Sequence, residues 1–99
     1  MDISLNTPDD TAITLSKRIK ALRLLKKWKR STLAKKSGVT EASLRRFEQT
    51  GKVSLDNFLK LAFTLGRLDE ANEILKAPVA QSISDLEKQE KRTPKRGTL

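Results

Sequence analysis

Apolar residues in this chain recur at helical spacing in five short stretches, each bounded by a capping residue, a glycine or a proline. The first begins at Thr7-Pro8-Asp9-Asp10. Thr7 predicts an N-cap, Pro8 fits the opening turn, and the two aspartates complement the positive helix end. Leu15, Ile19 and Leu22 make its inward stripe, with Leu25 continuing it. The run Thr11 to Thr14, rich in β-branched residues, weakens the first turns and predicts fraying or a kink near Ile13. Lys26-Lys27 suit the negative C-terminal end. Trp28, the lone tryptophan, is expected to pack at the junction of the first and second helices, with an exposed partner contact as the alternative.

The stretch from Arg30 to Gln49 holds two short patterns divided by a glycine. Leu33 and Ala34 face inward from one, and Leu44 and Phe47 from the other. Lys35-Lys36-Ser37-Gly38-Val39-Thr40 supplies the turn between them. Gly38 takes the left-handed conformation that ends a helix, Val39 packs under the corner, and Thr40 caps the next helix. Ala34 is small where two helices must cross closely. This is the layout of a helix-turn-helix.

Thr50-Gly51-Lys52-Val53 then reads as a loop, and Ser54 caps a fourth helix with Leu55, Phe58, Leu59, Ala62 and Leu65 on its apolar face, ended by Gly66. A fifth helix is expected from Leu68 to about Ala77, offering Leu68, Ala71, Ile74 and Leu75, until Pro78 stops it. The fold class is therefore all-α, a compact five-helix bundle containing a helix-turn-helix, with a polar C-terminal tail. The expected divisions are an arm over 1–7, a DNA-binding domain over 8–77 and a tail over 78–99. In the tail, Ser84-Asp85-Leu86-Glu87 can start a short helix, and Val79 to Ile83 can add an edge strand to a partner. The basic end, Lys91 to Gly97, lacks apolar anchors and is expected to be disordered when free.

Composition narrows the chemistry. Ninety-nine residues without cysteine or histidine exclude disulfides, thiolate or imidazole metal sites, and Ser-His-Asp or Cys-His catalysis within this chain. Tyrosine is also lacking, so a catalyst would need carboxylate or lysine chemistry, and the acids show no obvious pairing. No enzymatic activity, metal or cofactor is expected. The opening MDISLNTPDD lacks a charged start and apolar centre, and no apolar run approaches the roughly 18 residues that cross a bilayer. A cytoplasmic, nucleoid-associated location with no membrane contact is the expectation.

Charge matters through its position. Residues 11–40 carry ten Lys/Arg and no Asp or Glu, whereas the other sixty-nine nearly cancel, so almost all of the net +9 lies on the first helix and the start of the helix-turn-helix. Alone, such a face is as readily a solvated surface as a binding one. Joined to the helix-turn-helix, it points to a polyanion.

The inward positions Leu44 and Phe47 leave the rest of the third helix to meet a ligand. Its N-terminal residues are those that reach base edges. Arg46 can donate to guanine O6 and N7 together, Glu41 can accept from cytosine, Ala42 can touch a thymine methyl, Ser43 can contact base or phosphate, and Thr40 is a further base-contact candidate. Arg30, at the start of the second helix, points at the DNA backbone. Lys29, Thr50 and Lys52 are further phosphate candidates, and Arg45 is equally a phosphate contact or a surface charge.

At these residues the chain resembles the Xre/Cro-type repressor family. The likeness spans about Pro8 to Ala77 and rests on Leu33-Ala34, Gly38-Val39, Leu44, Phe47-Glu48, Gly51 and the Ser54-Leu55 helix start. It implies an ion pair between Arg23 and Glu48, which the sequence alone leaves as surface charges. It also places Lys29 where a serine or threonine commonly caps the second helix, with Ser31 as a substitute if the helix starts later. Thr7-Pro8, the Thr50-Gly51-Lys52-Val53-Ser54-Leu55 turn, and Leu65-Gly66-Arg67-Leu68 before a basic tail resemble HipB-type antitoxins. That resemblance implies an autoregulating homodimer on a near-palindromic operator in double-stranded DNA, partnered with a HipA-type kinase toxin. Residues Phe63, Leu68, Leu75 and Val79 are the expected dimer surface, with Phe63 as plain core the alternative. Other readings are a stand-alone phage-type or metabolic repressor, a kinase-binding adaptor independent of DNA, and a nonspecific RNA or chromatin-like binder.

Overall fold

Helix caps set the architecture. In the computed structural model, which describes residues 7–79, five helices follow in order: α1 (Pro8–Leu25), α2 (Arg30–Ser37), α3 (Glu41–Thr50), α4 (Leu55–Thr64) and α5 (Leu68–Ala71). The described residues contain no strand. The N-terminal arm and the tail beyond Val79, with the expectations attached to them, lie outside the described residues. Val79 itself has helical backbone, not that of an edge strand.

Three starts are closed by hydroxyls. Thr7 accepts the Asp10 N–H at 3.1 Å, Thr40 that of Ser43 at 3.1 Å, and Ser54 that of Asn57 at 3.0 Å. α2 has no such cap. It begins at Arg30, directly after Lys29, and no side chain bonds its first turn. Ser31 therefore sits inside the helix and does not start it.

The core is one cluster: Ile19 from α1, Leu33 and Ala34 from α2, Val39 from the turn, Leu44 and Phe47 from α3, and Leu61 and Leu65 from α4. Leu22, Trp28, Val53 and Phe58 pack around it, which places Trp28 at the α1–α2 junction. Phe47 and Phe58 meet edge to face, centroids 6.1 Å apart.

Several expectations are corrected. α1 runs unbroken through Ile13, because Gly51 packs its backbone against Ala12 and Ile13 from the far side. A Cβ added at Gly51 would lie 3.0 Å from the Ile13 nitrogen. Leu25 does not extend the inward stripe. It is 77% exposed, since α1 ends there in a left-handed Lys27 (φ 60°). The Lys27 and Trp28 amides bond back to Leu24 and Arg23, closing the helix end without a glycine. Lys35 to Ser37 are helical, so the turn is only Gly38 to Thr40.

On α4 the buried stripe is Leu61, Ala62 and Leu65, flanked by Phe58, while Leu55 is exposed. With apolar residues on nearly every side, that helix leaves spacing unable to say which face turns inward. α5 is a single turn, not ten residues. The chain continues in turns to Leu75, itself left-handed (φ 63°), and the described residues leave Ile74 more than half exposed and Leu75 almost wholly so. Phe63 is not core: it is 69% exposed.

Candidate nucleic-acid interface

α3 is fixed by one carboxylate. Glu48, its side chain 2% exposed, accepts Arg23 Nε on Oε2 at 3.0 Å. Its Oε1 accepts Arg23 Nη2 at 3.3 Å and Arg30 Nε at 3.0 Å. Arg23 Nη1 also donates to the Trp28 carbonyl at 2.9 Å. One residue of α3 is thereby tied to α1, to the α1–α2 corner and to the first residue of α2. Such charge-assisted bonds are directional, so they set the rotation of α3 as well as its distance from the other two helices.

Arg30 was expected to point at the DNA backbone. Its Nε donates to Glu48, while the side chain stays 32% exposed and its outer edge meets solvent. No local spacing announces this bond, because the partner lies 18 residues on. Lys29 beside it is exposed.

The N-terminal half of α3 is open. Glu41, Ala42, Arg45 and Arg46 are exposed and Ser43 is half-buried. Thr40 donates its hydroxyl proton to Ser43 Oγ at 2.8 Å. That leaves Ser43, and not Thr40, with a proton to offer an outside acceptor. Arg45 lies 3.9 Å from Glu41, one turn away, with both side chains about half exposed, a weak surface pairing. Arg46 makes no ion pair among the described residues. It lines a hollow of about 230 Å³ with Ser43, Lys52, Val53, Ser54 and Asn57.

At the far end of α3, Thr50 donates to the Arg46 carbonyl at 2.7 Å and accepts the Lys52 N–H at 3.1 Å. Its hydroxyl closes the helix and has no proton left for a phosphate. Lys52 reaches Asp9 only at 3.9 Å, both exposed. Asn57 entered the hollow unannounced by the sequence, since its backbone amide serves the Ser54 cap and its side chain follows only from the α3–α4 angle.

Among the described residues no group of histidine, cysteine, aspartate or glutamate is placed to hold a metal ion, and no helix is long and apolar enough to cross a membrane. Two short helices crossing at a glycine turn, the second exposed along its N-terminal half and braced from behind, define a helix-turn-helix of the DNA-binding kind. A helix-turn-helix family model matches residues 19–70, more than half of the chain, and the protein belongs to that family. It is a DNA-binding transcription regulator. No curated protein and no solved structure matches the chain.

Proposed function

We propose that this regulator is a sequence-specific repressor, with residues 8–77 as its DNA-binding domain and α3 as the helix that enters the major groove. The observation that carries the reading is the open N-terminal half of α3 on a helix braced by Arg23, Glu48 and Arg30. Glu41, Ala42, Ser43 and Arg46 then read base edges, with Thr40 at the margin through its methyl group. Lys29, the outer edge of Arg30, Arg45 and Lys52 meet phosphates, and Thr50 contributes only by holding the α3–α4 loop.

One module of this size reads few base pairs. The operator is accordingly near-palindromic, bound by a two-fold homodimer with half-sites about 34 Å apart. Exposed Phe63 and Leu75 on the α4–α5 side support that side as the surface a second copy meets. The resemblance to HipB-type antitoxins supports a finer role in the cytoplasm: repression of an operon that also encodes a HipA-type kinase held by this chain.

Selection of bound sequences followed by mobility shift tests the first part. Arg46→Ala should lose about 1–3 kcal/mol at one base position. Equal loss on every sequence would reduce Arg46 to a phosphate contact. The antitoxin role predicts co-purification with a kinase encoded beside it, and a neighbourhood without one would leave a stand-alone repressor.

A further inference from the structure

The helices of this domain pack unevenly. α1 packs mainly on α3, whereas α4 packs on α2 and α5. Between α1 on one side and α4 with α5 on the other lies a hollow of about 230 Å³. Ile19 and Ala62 form its buried floor, Leu15, Leu22 and Phe58 are half-buried in its walls, and exposed Ile74 stands at its edge. It shares no residue with the proposed base and phosphate contacts, nor with Phe63 and Leu75.

Three charged side chains also line it: Arg18, Arg67 and Glu70. Arg67 donates to Glu70, so those two charges offset each other. Arg18 is exposed and makes neither a hydrogen bond nor an ion pair among the described residues. An apolar hollow is thus left with one uncompensated cation at its mouth.

We propose that the hollow binds a small organic carboxylate, its charge at Arg18 and its short alkyl or single-ring body on Ile19, Leu22 and Phe58. Apolar walls with a few placed polar groups are the makeup of a small-molecule site. Charge selects the head group: an ammonium would meet Arg18 as a like charge, and a neutral head would leave the guanidinium without a counter-ion. Size limits the body. The volume falls below the roughly 300–1,000 Å³ of drug-sized sites. One turn of helix, about 10 Å across and 5.4 Å long, would fill about 400 Å³, so a partner helix does not enter.

Titrating the isotope-labelled full chain with hexanoate, hexanamide and hexylamine, followed by NMR amide shifts, tests this. Hexanoate is expected to give saturable shifts centred on Leu15, Arg18, Leu22, Phe58 and Ala71. Hexanamide should bind more weakly at the same place, and hexylamine most weakly of the three. Arg18→Gln should weaken hexanoate about two- to fivefold and leave hexanamide unchanged, with a thermal melt checking that this exposed substitution keeps the fold. Ala71→Leu, whose added carbons enter the hollow, should abolish binding of both. Hexylamine binding as well as hexanoate, shifts centred elsewhere, or no saturable shift at all overturns the proposal. Undiminished hexanoate binding by either variant overturns it too.

Discussion

Glu48 concentrates more of the site's geometry than any other residue. Glu48→Gln keeps the shape but leaves two guanidinium groups facing an uncharged amide, one of them buried. Breaking a buried pair in this way is expected to destabilise by about 3–5 kcal/mol, measured as a lower urea midpoint with an unchanged m-value. Arg30→Gln should cost less, because Arg23 still holds the carboxylate through two bonds. None of this cluster is legible from spacing. Arg23, Arg30 and Glu48 sit in three different helices, and a basic residue at a helix start reads as solvent-facing until its partner is placed. The inward set Leu33, Ala34, Val39, Leu44 and Phe47 was legible, because burial leaves a periodic trace and ion pairing does not.

At the scale of the element, boundaries with a local chemical cause could be read and those set by packing could not. Thr7, Thr40 and Ser54 announce their helices because the capping bond joins residues three apart. The end of α1 carries no such sign, since lysine takes the left-handed position that glycine usually fills. Lys27→Gly should therefore stabilise by about 1 kcal/mol, read as a higher Tm. Gly51 is the opposite case. Gly51→Ala forces a side chain into a left-handed backbone, at about 1–2 kcal/mol, and drives it onto the amide of Ile13. A larger loss than at Gly38, where an added Cβ meets nothing within 4 Å, is the expected outcome in a thermal melt of the two alanine variants. The length of α5 was illegible for a related reason: Ile74 and Leu75 continue a helical pattern, but a pattern yields a helix only where something lies opposite it.

For the whole molecule, the asymmetric charge ties affinity to ionic strength. Phosphate neutralisation releases counterions, so log K should fall linearly with log salt, by about 0.9 for each phosphate neutralised. Lys52→Ala should reduce that slope by about 1 with sequence preference unchanged, measured by mobility shift across a salt series. An altered preference would instead place Lys52 among the base contacts. The lone tryptophan makes the bound state visible by another route. Lys26 and Lys36 hold their ammonium groups 5.3 and 5.2 Å from the centre of the Trp28 ring, within reach of its electrons. Polyanions compete for those same ammonium groups. The indole is thus a built-in optical gauge: its emission should move when duplex DNA draws either lysine away, with no label attached to the chain.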